Sequence, residues 1–241
     1  MKKAVGGNMQ GAILPHLSAV GTLLSMASDQ LTRADETFAG FLLELYAFSS
    51  LVATHPGLST GPPDTGTQVP EILNPPIGSL LRRSGTYGFL FGYAQCLFDL
   101  IPHIVHFSHK QANTSPRHDD PELLADFFDL EMRILAWKPQ RLPCTASDDA
   151  PMDLLCSAGM LVQLLMLVYL RIALKGPGLP ERSLMAQVDE IVDEFMQLIQ
   201  SIPLDSTSWT SLLWSMLIVG SCLRRTDHRQ VLAWTLQNQQ H

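Results

Sequence analysis

Charge is scarce in this sequence: Asp, Glu, Lys and Arg together make up 16% of 241 residues, against about a quarter in an ordinary globular chain. Disordered chains pair low hydrophobicity with high charge, so a chain with 46% hydrophobic residues falls outside that class, and most of it should fold. Positive charge is the scarcer sign. With 16 basic and 23 acidic residues the net charge is −7, opposite to that of chains that neutralise phosphates with their own side chains, which argues against direct contact with nucleic acid. The pairs Lys2-Lys3, Arg82-Arg83 and Arg224-Arg225 are too short to change this and read as solvated surface.

Cysteine is also sparse. Cys96, Cys144, Cys156 and Cys222 lie far apart, so no CxxC pair exists from which a zinc site could be built. Two of them sit in apolar runs, where a thiol behaves as a small hydrophobe. This usage suits a reducing compartment, with two disulfides as the other reading. The N-terminal stretch MKKAVGGNMQGAILPHLSAV has lysines but no continuous apolar segment, because glycines, Asn8, Pro15 and His16 interrupt it, so no secretion signal is expected. Asn113-Thr114-Ser115 then matches a glycosylation acceptor by chance. Strand-type alternation, a GxSxG elbow around Ser211, Ser215 or Ser221, and a glycine-rich phosphate loop are missing too.

Helical periodicity is present throughout, and it predicts an all-α fold. The chain reads as a single irregular bundle of about seven or eight helices over residues 1–241, arranged around the uncharged run Leu154 to Leu170, which continues to Leu174. That run and Ser206 to Leu223 reach the lower edge of the roughly 17–25 residues that cross a bilayer. Gln163 in the first, and Thr207, Gly220 and the serines in the second, are costly or idle in lipid, and neither run has cationic anchors at both ends. Core helices are therefore expected, and no membrane.

The other helices follow from their punctuation. One is expected from Leu14 to Ala27, and a second behind a loose capping box at Thr32 and Asp35, with Phe38, Phe41, Leu42, Leu45, Phe48, Leu51 and Val52 as its apolar side. Proline and glycine make 56–76 a long exposed loop. The apolar pattern resumes from Gly78 to Phe107, where Pro102 either kinks one helix or stands in the first turn of another. Asp120-Pro121 opens a helix whose buried face is Leu123, Phe127, Leu130 and Ile134, and which ends before Pro139. Ser147, Asp148 and Asp149 offer caps for the central run. Ser183 begins an amphipathic helix with Leu184, Val188, Ile191, Phe195, Leu198 and Ile202 on one side; helices from Trp209 to Leu223 and from Thr226 through Trp234 close the chain.

Three groups invite a chemical reading. His103, His106 and His109 stand three apart, within reach of a shared ion, but a third ligand drifts around the helix and no carboxylate joins them. His118-Asp119-Asp120-Pro121-Glu122 is similar to the aspartate-rich start of all-α isoprenoid synthases, yet the acid needed three residues after Asp120 is Leu123. A second magnesium box fails as well, since Asp189 is followed at four-residue steps by Asp193 and Gln197. No catalytic, cofactor-binding or metal-binding residue is therefore assigned, and no cofactor; an all-α enzyme acting on a hydrophobic, isoprenoid-like substrate is the alternative.

Several segments, in order, carry a resemblance. They are His16-Leu17-Ser18-Ala19-Val20; Phe41 to Ala47 with Ser49-Ser50-Leu51-Val52; Tyr87 to Gly92 through Leu100-Ile101; and Leu135-Ala136-Trp137-Lys138-Pro139. Val168 to Leu174 follows, with Tyr169 and Arg171, and then Trp209 to Trp214 with Val219-Gly220-Ser221-Cys222 and Arg229. Together they resemble the C-terminal regulatory domain of fungal-specific transcription factors, a class whose N-terminal DNA reader is a binuclear zinc cluster of six cysteines. Such a cluster cannot be drawn from the four cysteines here. The resemblance implies a transcription regulator in the nucleus, in the regulation of secondary metabolism, that works through protein partners or self-association, with a small effector in an apolar cavity as a further expectation.

Overall fold

A computed structural model of the chain describes residues 9–27, 36–53, 94–113, 121–139, 152–174, 181–206 and 208–238. Among these residues there are nine α-helices and no strand. They are α1 (Met9–Met26), α2 (Glu36–Ala53), α3 (Gln95–Phe98), α4 (Ile101–Asn113), α5 (Pro121–Leu135), α6 (Met152–Ala173), α7 (Glu181–Ile199), α8 (Ser208–Cys222) and α9 (Thr226–Asn238). The chain divides into two compact units, Met1–Leu90 with α1 and α2, and Phe91–His241 with α3 to α9. The loop expected over 56–76, the Thr32 and Asp35 capping pair, the aromatic group 87–91, and the caps Asp120, Ser147, Asp148 and Asp149 lie outside the described residues.

In the first unit α1 packs on α2. The side of α2 that is buried is not the aromatic side that its periodicity suggests: Phe38, Phe41 and Leu45 are exposed, while Ala39, Leu43, Glu44, Ala47 and Ser50 are buried. The physical reason is close approach. A Cβ at Gly21 of α1 would overlap the Tyr46 hydroxyl, so the absence of a side chain there lets Tyr46 of α2 come in against α1.

The second unit is built on α6. Every residue from Leu164 to Leu170 is buried, so the helix is enclosed on all sides over that stretch, as an all-round apolar sequence requires. Helices α4, α5, α7 and α8 pack against it, with α3 at one end. Its Cys156–Ala173 stretch has the length and hydropathy of a membrane span, but 61% of it is covered by the rest of the fold, which is how a core helix looks.

Pro102 stands in the first turn of α4, so the second reading of that segment holds: α3 and α4 are separate helices. Pro121 opens α5, and Leu123, Phe127, Leu130 and Ile134 are its buried residues, as the spacing predicts. On α7 the buried stripe is wider than predicted. Val192, Met196 and Ile199 join Leu184, Val188, Phe195 and Ile202 in the core, while Ile191 and Leu198 are only half-buried. The helix touches α8 and α9 as well as α6, which turns the buried side toward those residues.

Candidate functional site

Polar chemistry in the second unit gathers in more than one place, the first being where α4, α5 and α6 meet. From α4, the Lys110 Nζ reaches Asp126 Oδ2 at 2.7 Å and Glu122 Oε1 at 3.1 Å on α5, and these bonds hold its ammonium above the ordinary lysine value. Below that bridge the rings of Phe107 and Phe127 lie 6.1 Å apart. Arg171 of α6 stacks its guanidinium 4.9 Å from the centre of the Phe127 ring and donates from Nη2 to Glu131 of α5. Both charged side chains are largely buried, so the pair is partly desolvated. The Nε and Nη1 of Arg171, and the Oε1 of Gln111 on α4, are buried with no protein partner among the described residues. One charge-assisted bond and one ring stack therefore hold Arg171, rather than a saturated network.

The end of α5 is fixed to α6 by a second device. Gln163 Nε2 donates to the Ile134 carbonyl at 2.7 Å, satisfying an acceptor that a helix C-terminus leaves open. Beside it, Trp137 lies over Gly159 so closely that a Cβ at Gly159 would overlap the indole. Elsewhere in this unit, α7 meets the turn between α8 and α9 through ion pairs. Arg224 reaches Asp189 at 3.3 Å, and Arg225 reaches Asp193 at 3.4 Å as well as Asp227. His228 Nε2 lies 3.5 Å from Asp193. The bond to Arg225 holds the Asp227 carboxyl below its ordinary value. Arg229 donates from Nε and Nη2 to the Leu223 carbonyl, at 3.0 and 2.8 Å, and so caps α8.

These contacts account for several groups with metal or catalytic spacing. Asp189 and Asp193 face cations of the chain itself, and no group of three metal-ligating side chains occurs among the described residues. His103, His106 and His109 are all exposed on α4. His118, Asp119 and Asp120 lie outside the described residues, as does Cys144. Cys96, Cys156 and Cys222 are free thiols; burial pushes the Cys222 thiol up, away from the reactive thiolate. Ser221 donates to the Ile218 carbonyl, and Ser215 is fully buried in α8.

One surface stands apart from this pattern. On α5, Leu124, Phe128, Met132 and Leu135 are 41%, 55%, 70% and 57% exposed. They form a second apolar stripe beside the buried one. The signal is visible in the sequence, since Leu123-Leu124, Phe127-Phe128 and Ile134-Leu135 are doublets and a single core face needs only one residue of each. Glu131, placed between the two stripes, is the other residue that periodicity alone did not single out.

A comparison with known families finds a match to the fungal specific transcription factor domain over residues 4–239, which spans both units. The chain belongs to that family. Neither a curated protein nor a solved structure matches it. For this fungal-specific transcription factor domain, the described segments from Leu135 onward that carry the resemblance are joints of the fold. Trp137 lies on Gly159, and Arg171 pairs with Glu131. Trp214 packs against Phe98 in a tilted pair at 5.7 Å and edge-to-face with Tyr169 at 6.2 Å. Trp209 Nε1 donates to the Pro203 carbonyl, Gly220 leaves room for Leu232, and Arg229 caps α8. Motifs of this kind mark a fold.

Proposed function

We propose that this chain is a regulatory module of transcription that acts in the nucleus through protein contact, performs no reaction and makes no direct contact with DNA. Family membership makes it a domain of transcription regulators. The finer reading is supported above all by one observation, the exposed apolar stripe on α5, because a solvated surface has no use for four large hydrophobes in a row while a protein partner does. The net charge of −7 supports the absence of DNA contact. The acids at Asp189, Asp193, Asp227, Glu122, Asp126 and Glu131 are engaged with the chain's own cations, which leaves them poorly suited to acid–base or metal work.

The test is a fusion of the intact chain to a heterologous DNA-binding domain, with a reporter behind the matching sites. The fusion is expected to raise or lower reporter output, and the chain alone is expected not to retard DNA at moderate salt. A fusion that leaves every reporter at baseline contradicts the proposal. Retardation of DNA by the isolated chain contradicts its second half.

A further inference from the structure

We infer that the outward stripe of α5 pairs with the same stripe of a second copy of this chain, helix against helix in antiparallel register. The inference builds on the reading that the chain works through protein contact, and it names the surface and the partner. Helix α5 is apolar over far more of its circumference than its neighbours cover. Leu123, Phe127, Leu130 and Ile134 are 9%, 5%, 5% and 0% exposed in the core, while Leu124, Phe128, Met132 and Leu135 remain in solvent. At 100° per residue the outer four fall within an arc of about 80° and run for about 16 Å. Their exposed area is on the order of 400 Å², the size of patch that marks an interaction site on a folded protein.

Three features select a second copy as the occupant. The first is symmetry. In antiparallel register Leu124 meets the partner's Leu135 and Phe128 meets the partner's Met132, so one stripe supplies both halves of every contact, including two sulfur–aromatic pairs. Such an interface is isologous and closes as a dimer. The second is charge. The acidic half of α5 carries Glu122 and Asp126, which share the single cation Lys110; Asp129 and Arg133 pair with each other within the helix at 3.6 Å, and Lys138 follows its far end. An antiparallel copy sets the acidic half beside the partner's basic end, whereas a parallel copy sets like against like. The third is area. Two such patches bury about 800 Å² of apolar surface, which with a polar rim reaches the low end of a specific interface, so the pair is reversible.

The experiment is light scattering on the intact chain across a concentration series. A mass rising from monomer to dimer is expected. Phe128→Asp and Met132→Asp, made separately at positions already in solvent, are each expected to weaken the dimer about 30-fold or more while the helical circular dichroism stays unchanged. The double variant Leu124→Cys/Leu135→Cys is expected to crosslink two chains under oxidation. Leu124→Cys alone is expected not to exceed the background of the unsubstituted chain, because the two copies of position 124 stand about 16 Å apart along the pair. A chain that stays monomeric at every concentration overturns the inference, whether α5 then holds another protein or another part of its own chain. So does a dimer indifferent to both substitutions. A silent reporter fusion alongside an intact α5 dimer refutes the regulatory reading and leaves the pairing standing; the reverse result refutes the pairing alone.

Discussion

Helices α5 and α7 pack on the same central helix, and their outward faces are made of opposite materials. On α7 the side turned away from the core presents Glu190, Glu194 and Gln197 to solvent, so burial against α6, α8 and α9 uses up its apolar residues. On α5 the core face is complete with Leu123, Phe127, Leu130 and Ile134, and four further large hydrophobes remain outside it. An amphipathic helix needs only one stripe to fold against its neighbour. The difference separates a helix whose sequence is explained by this fold from one whose sequence asks for a further surface.

Substitutions that treat the two helices alike should break that comparison most sharply. Phe195→Ala, at a fully buried position on α7, is expected to cost about 3–5 kcal/mol by denaturant unfolding, because the vacated volume is enclosed by α6 and its neighbours. Phe128→Ala on the outer side of α5 is expected to leave the stability of the monomer within about 0.5 kcal/mol. Equal losses at both sites would mean that the outer stripe is packed and that the contrast fails.

The ion pair of α5 with α6 comes next in size. Glu131→Leu strands a largely buried guanidinium and is expected to cost about 2 kcal/mol, whereas Arg171→Met with Glu131→Leu is expected to recover most of that loss. A double variant as unstable as the single one would show that Arg171 matters through its stack on Phe127 instead.

A pH titration sharpens the same comparison on the α6–α8 side. Burial holds the Tyr169 phenol above its ordinary value. The folded state therefore keeps a proton that the unfolded chain releases, so stability is complete below about pH 10 and is lost progressively as pH rises above it. Tyr169→Phe is expected to flatten that alkaline decline in an unfolding series, and an unchanged slope would assign it to other groups. Smallest of all are the exposed pairs on the α7 edge. Asp193→Ala or Arg225→Ala is expected to shift the denaturant midpoint only slightly, and less in salt.

Much of this architecture is legible in the sequence because it rests on local signals. Pro121 and the alternating four- and three-residue steps behind it define α5 and its inner face, and the uncharged run from Leu154 marks the central helix α6. What misleads is contact with a particular neighbour. The aromatic side of α2 looks like a core face, yet Phe38 and Phe41 stay exposed while Gly21 of α1 admits Tyr46, and no periodicity argument contains that information. Likewise Glu131 gains its meaning only when Arg171, forty residues on, is placed beside it. The second stripe of α5 was readable as doublets, but a doublet becomes a surface only once the core has taken its share. The site could not be read as chemistry because its charges are engaged with one another.

The most direct measurement compares two reporter fusions, the intact chain and its Phe128→Asp variant, each tethered to the same heterologous DNA-binding domain and expressed to the same level. The account predicts that the intact chain changes reporter output and that the variant, equally abundant and equally helical, returns it to baseline. If both fusions leave the reporter at baseline, or both change it alike, the outer face of α5 is not where this protein acts.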